Sequence, residues 1–248
     1  MINIPKGTKD VLPFDSYKWQ YAEKKAREIC RLFAFREIRT PVFEHTELFT
    51  RSIGDDTDVV KKEMYTFLDK GNRSITLKPE GTAPVARSFV ENSLDAGSLP
   101  LKMYYITPVF RYENPQAGRL REHHQFGVEV YGGDNALLDY EVISLAHRFL
   151  SEMGVTGLVL NLNSIGCEKC RGEYNKALKA YLASKLGEMC GTCRERFERN
   201  PLRILDCKVE GCKNIVAGAP KIIDYICDDC RSHMSELEGL LKDEGIDY

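Results

Sequence analysis

An α+β fold, with an antiparallel sheet flanked by helices and a small helical domain inserted after it, is predicted by three observations. Two long strand-like segments, 102–113 and 123–131, are joined by the turn-rich Asn114-Pro-Gln-Ala-Gly118. Stretches of helical periodicity lie before and after that pair, at 19–33 and 137–153. From Gly166 onward the texture changes to short helical stretches holding eight of the nine cysteines. The 248 residues, with 35 Lys plus Arg against 37 Asp plus Glu and a formal charge of -2, exclude a disordered tail and a global basic field. No apolar run is long enough to span a bilayer, and the start, MINIPKGTKDVLP, lacks a basic-then-apolar export signal, so a cytoplasmic location is expected.

Each element has a local reason. Trp19, Ala22, Ala26, Ile29 and Phe33 recur on one helical face between Lys and Glu. Arg36–Thr40 reads as a short strand stopped by Pro41, which has no backbone donor. Met64–Leu68 and Ser74–Lys78 read as a hairpin about Asp-Lys-Gly-Asn. Thr82–Asn92 reads as a helix with Thr82 as N-cap and Pro84 in the first turn. A helix at Leu137–Met153 and a strand at Leu158–Asn163 complete the first region, 1–163; 164–244 is the cysteine-rich insertion, and 245–248 begins a return to the first region.

Strand parity then sorts the long hairpin. Tyr104, Ile106 and Phe110 share one face with Phe126, Val128 and Val130; Met103, Tyr105, Thr107, Arg111 and Glu113 share the other with Gln125, Gly127 and Glu129. A turn centred near Gly118 sets Arg111 beside Gln125 and Thr107 beside Glu129. Such alternation most often marks a solvated face, but an Arg, two acids and an amide among Tyr and Met suit a built site better. Arg119 and Arg121 lie in the connecting loop, and Pro108 argues against an ideal central strand. The junction Pro79-Glu80-Gly81-Thr82 offers a helix N-terminus, a close-approach glycine and a carboxylate for a cation.

These constellations, in this order, resemble the class II aminoacyl-tRNA synthetases, and among them the histidyl-tRNA synthetase family. The resemblance rests on Lys6-Gly-Thr-Lys-Asp-Val-Leu-Pro13, Arg39-Thr-Pro41 (motif 1), Leu77-Lys-Pro-Glu-Gly-Thr82, and Phe110-Arg-Tyr-Glu113 through Gly118-Arg119 to His124-Gln-Phe-Gly-Val-Glu129 (motif 2). Asn200-Pro-Leu-Arg-Ile-Leu-Asp-Cys207 is similar to that family's bacterial insertion domain. The resemblance implies a class II synthetase-like sheet and an ATP-dependent histidine–tRNA ligase, active as a cytoplasmic homodimer on L-histidine and tRNA-His, with ATP and Mg. Arg111 would be the catalytic contact to the α-phosphate and the histidine carboxylate. Glu113 would hold the adenine amino group, Arg119 the γ-phosphate, and His123 would stack near adenine where relatives commonly place an aromatic. Glu80, Gly81, Thr82 and Gln125 would surround the substrate amino group, and Glu129 would accept from its imidazole.

The family's later features, a histidine-site motif, motif 3 and an anticodon-binding domain, have no counterpart before Tyr248. The sequence is thus expected to be an N-terminal piece with impaired activity. Two rival readings are a histidine sensor like the regulatory subunit of ATP phosphoribosyltransferase and a non-catalytic dimerising fragment. The cysteine pairs Cys167-x2-Cys170, Cys190-x2-Cys193, Cys207-x4-Cys212 and Cys227-x2-Cys230 have zinc-like spacing. Helical periodicity nevertheless favours packed thiols and no metal, with Cys190, Cys193, Cys207 and Cys212 the first suspects should a metal be held.

Overall fold

The computed structural model describes residues 2–54, 57 and 59–248. They form two compact units, 1–158 and 159–248. Among them no helix is long and apolar enough to cross a membrane.

The first unit runs α1 (Ser16–Leu32), β1 (Arg36–Glu37), β2 (Phe43–His45), α2 (Thr46–Ile53), a π-helical turn (Val59–Glu63), β3 (Tyr65–Leu68), β4 (Ser74–Leu77), α3 (Thr82–Glu91), β5 (Leu101–Phe110), β6 (Glu122–Tyr131) and α4 (Ala136–Glu152). Two three-stranded sheets result, ordered β1-β5-β6 and β2-β4-β3; every pairing is antiparallel except β1 with β5. Small antiparallel sheets flanked by helices are the α+β arrangement expected from the sequence.

The hairpin β5–β6 is the centre of this unit because both of its faces are covered. On the even-numbered face, Tyr104, Ile106, Phe126, Val128 and Val130 pack with Ile29, Cys30 and Phe35 from the α1 side and with Val142, Leu145 and Phe149 of α4. Cys30 is part of this core, and burial pushes its thiol up to about 12. On the odd-numbered face, Met103 and Tyr105 pack with Val85 and Phe89 of α3. That face is therefore not a solvated one: Met103 and Tyr105 are 4% and 6% exposed.

Three expectations are corrected. The ladder pairs Thr107 with Gln125 and Met103 with Glu129, so the predicted register was displaced by four residues along β5. The connecting loop is asymmetric, with its bridge at Gln116–Arg119 and Arg121 N–H donating to Gly7 O rather than across the ladder. Because the displacement is even, every side chain keeps its assigned face. Second, the alternating stretch Leu158–Asn163 is not a strand, and Val159 is 80% exposed. Alternation makes a strand only where a neighbour completes the ladder, and no described strand pairs with this one. Third, Thr82 is the first residue of α3 rather than its cap. The N–H groups of Thr82 and Ala83 donate instead to the two carboxylate oxygens of Glu80, at 2.6 and 3.0 Å.

Pro108 is accommodated for a topological reason. The Tyr104 carbonyl and the Phe110 N–H both point away from β6, to Ile38 and Lys78, and Pro108 shares their parity. Its missing donor therefore faces the side where β1, only two residues long, has already ended.

The second unit contains α5 (Glu168–Ala183), α6 (Gly191–Arg199), α7 (Glu210–Ala217) and α8 (Asp228–Asp243), linked by 3-10 turns. Its core gathers Tyr174, Leu178, Leu182, Met189 and Ile204 with Cys193, Cys207 and Cys212.

Candidate active site

The odd-numbered face of β5–β6 meets the N-terminus of α3, and the contact is made by one ring set between two glycines. A side chain on Gly81 would place its Cβ 2.2 Å from Tyr105 Cε2, and one on Gly127 would place it 2.3 Å from Tyr105 Cζ. Only residues without a Cβ let the ring lie there. Gln125, two residues before Gly127 on the same face, accepts the Gly81 N–H at its Oε1 (3.0 Å) and so ties β6 to the junction ahead of α3.

Around this ring the polar groups converge. Tyr105 Oη lies 3.5 Å from Glu129 Oε1. The Thr82 side chain stands beside both and favours the charged forms of the Tyr105 phenol and the Glu129 carboxyl. Burial raises the Glu129 carboxyl above its ordinary value, and the like charge of Glu80 pushes the same way, against the opposing effects of Thr82 and of the Tyr105 hydrogen bond. The Tyr105 phenol is raised to about 12, chiefly by burial. Tyr131 is also raised to about 12, by burial and then by Glu129, Tyr105 and Glu80. A carboxylate held in partial desolvation beside a second carboxylate is a place where a cationic or N–H-bearing ligand gains most.

The second group of predicted residues lies at the open end of the hairpin. Arg111 donates from Nε to Pro79 O at 2.8 Å, which fixes its stem next to Glu80 and leaves the terminal nitrogens of the fork for another acceptor. Its backbone N–H is bonded to Arg121 O. His123 pairs with Val109 on the ladder. Its imidazole is held below its ordinary value by burial first and then by the Arg111 guanidinium. Glu113 and Arg119 form an ion pair at 3.1 Å, with the Arg119 side chain 65% exposed.

All nine predicted site residues thus fall into two adjoining groups. Glu80, Gly81, Thr82, Gln125 and Glu129 surround Tyr105; Arg111, Glu113, Arg119 and His123 follow, joined to the first group through Pro79. Tyr105 itself was not singled out from the sequence, although its parity with Thr107 and Met103 already placed it on this face. Arg121 was noted only as a loop residue. Its guanidinium lies 3.7 Å from the Tyr112 ring centroid and its Nε donates to Glu113 O at 3.1 Å, so it braces the loop that carries Glu113.

Magnesium does not find a ready-made protein site. Among the described residues, the only groups of three or more metal-binding side chains close enough to share one ion are cysteines, whose soft sulfur does not suit it. The expected packing of the eight paired cysteines is also corrected in part: Cys167 is exposed and Cys227 and Cys230 are half-buried, so they are not core residues. In helical periodicity an exposed Cys at a helix start looks the same as a buried one.

Comparisons with known proteins bear on the whole chain. A family model described as histidyl-tRNA synthetase matches residues 7–169. Curated proteins named histidine–tRNA ligase are 58% identical over 248 residues in Caldanaerobacter subterraneus subsp. tengcongensis and 59% identical over 247 residues in Clostridium novyi. Each match covers 100% of this chain, which spans 60% and 59% of the length of those relatives. The crystal structure of apo histidyl-tRNA synthetase from S. aureus superposes with a TM-score of 0.80 at 38% identity, covering 100% of this chain and 56% of that one. A Bacillus halodurans structure titled as an ATP phosphoribosyltransferase regulatory subunit/histidyl-tRNA synthetase shares the fold, with a TM-score of 0.68 at 21% identity, over 99% of this chain and 66% of that one.

Proposed function

Because the chain belongs to the histidyl-tRNA synthetase family, we propose that it carries the amino-acid-activating site of a cytoplasmic histidine–tRNA ligase that works as a homodimer. The reaction joins ATP and L-histidine into histidyl-adenylate and pyrophosphate, then passes the histidyl group to the 3′ end of tRNA-His. Residues 1–163 form the catalytic core in this reading, 164–244 the inserted domain, and 245–248 the start of a return to the core.

The observation that carries the reading is the adjoining of the two groups, with the half-buried Glu80 and Glu129 carboxylates in one and Arg111 in the other. The substrate ammonium sits against Glu80, with Thr82 and Gln125 completing its partners. The imidazole N–H donates to Glu129, whose partial burial makes an unpaired state costly; a ring without that donor is rejected. Arg111 then faces the carboxylate and the α-phosphate together. Its positive charge offsets their repulsion and the charge that grows as the carboxylate oxygen attacks phosphorus and pyrophosphate departs. Arg119 reaches the γ-phosphate and Glu113 the adenine amino group once their mutual pair opens. The Arg119 half of that pair is 65% exposed, so its guanidinium is free to swing toward a nucleotide phosphate. Magnesium enters with the nucleotide phosphates, and no step is assigned to it.

Histidine-dependent exchange of labelled pyrophosphate into ATP by the full protein is the test. Exchange that needs L-histidine and no other amino acid supports the reading. Tight histidine binding with no exchange supports the sensor instead.

A further inference from the structure

We propose that the second unit holds two structural zinc ions, one on Cys167, Cys170, Cys227 and Cys230 and the other on Cys190, Cys193, Cys207 and Cys212. The structure gathers the eight paired cysteines into these two groups, and within each the four sulfurs all lie within 4.8 Å of one another. Zinc bound by four thiolates at about 2.3 Å in a tetrahedron sets neighbouring sulfurs about 3.8 Å apart. In the first group Cys167 Sγ lies 3.4 Å from Cys170 Sγ and 3.9 Å from Cys227 Sγ, and Cys170 Sγ lies 3.9 Å from Cys230 Sγ. In the second, Cys190 Sγ lies 3.9 Å from Cys207 Sγ. Both groups therefore already have the spacing that one ion imposes.

The surrounding backbone suits thiolates. Cys167, Cys190 and Cys227 are the N-caps of α5, α6 and α8, and each is followed three residues later by a second ligand in the first turn. Helix starts offer unpaired N–H groups and the positive end of the peptide dipoles. Within each group a backbone donor already points at a sulfur: Cys227 N–H to Cys170 Sγ at 3.0 Å and Cys190 N–H to Cys212 Sγ at 3.3 Å. Packed thiols explain these features less well. The sulfurs of the first group face one another although Cys167 is exposed, where no apolar burial rewards the gathering.

The placement also gives the ions a task. The first group joins the start of α5 to the start of α8, and the second joins α6, the turn at Cys207 and α7. Each ion would thus fasten elements that are distant in sequence, in a unit whose one apolar core itself includes three of the ligands. On binding, Zn2+ replaces four thiol protons, which go to solvent, and no electron changes hands.

The test is metal analysis of the full protein, purified under reducing conditions without chelator from zinc-containing medium. About two zinc per chain are expected, and about one is expected in each of Cys167→Ser and Cys190→Ser. Should those variants fail to fold, native protein refolded with Co2+ must show the thiolate-to-cobalt absorption of tetrahedral sulfur coordination. Folded native protein with under about one-tenth of a zinc per chain, or with stoichiometric iron in its place, overturns the proposal. A single zinc lost equally in both variants overturns the two-site assignment.

Discussion

At the scale of single residues, Tyr105 ties the site together, and its position depends on two missing side chains. Gly127→Ala would put a methyl group 2.3 Å from the ring, which Gly81 blocks from the other side. The ring must leave its place, so the variant is expected to lose about 1–3 kcal/mol of stability, as overpacked sites do. Chemical denaturation of the two proteins checks this; a difference below about 0.5 kcal/mol would mean that the ring has room to yield. Arg111 carries the opposite kind of prediction. Among the described residues its side chain is bonded only through Nε, so Arg111→Ala should leave the fold intact while lowering adenylate formation by at least about 10²-fold, the loss typical of one pre-organised charge contact. Single-turnover kinetics measure it, and a loss under about tenfold would contradict the role given to Arg111. Glu129 shows a third pattern. Its carboxyl is raised in the fold, so its contribution to stability is greatest at low pH and is lost as pH climbs from the unfolded value through the folded one. At neutral pH its charge opposes folding, and Glu129→Gln should melt no lower than the native protein, as expected of a residue retained for binding rather than stability.

At the scale of elements, local rules decide how much of this was legible in sequence. The two faces of β5–β6 were readable because alternation is a property of the strand itself, and the even displacement of register left it untouched. The register was not readable, since it depends on an asymmetric loop that is bridged at Gln116–Arg119 and also bonded, through the N–H groups of Tyr112 and Arg121, to Glu63 and Gly7. β2 and α2 went unread because three residues of strand and eight of helix carry too little periodicity. The capping of α3 by Glu80 was missed because Thr is the commoner cap, and only the fold shows a carboxylate turned back onto two N–H groups. α4 follows the ordinary rule: Asn135 Oδ1 accepts the Leu138 N–H at 3.1 Å. Asn135→Ala should cost about 1 kcal/mol in denaturant unfolding. A cost near zero would show that α4 is held by Leu145 and Phe149 in the core rather than by its cap.

At the scale of the whole molecule, the chain joins two units that follow different principles. The first is held by a hairpin buried on both faces, and it carries every residue placed in the site. The second has a small core drawn from α5, α6, α7 and the turns between them, and two groups of sulfur whose members lie up to 63 residues apart in sequence. Helix periodicity reports each cysteine pair by itself and says nothing of which pairs meet, so the grouping became visible only with the fold. The site was more legible than the sulfur groups because its residues sit on one hairpin and one junction, where spacing in sequence is nearly spacing in space. The central proposal is that the covered face of this hairpin selects histidine through Glu129 and activates it through Arg111. The most direct measurement is histidine-dependent ATP–pyrophosphate exchange by the native full protein and by Glu129→Gln. In the variant the KM for histidine is expected to rise by at least about tenfold, with the KM for ATP changed less than about twofold. Equal weakening toward both substrates, or an unchanged KM for histidine, would contradict it.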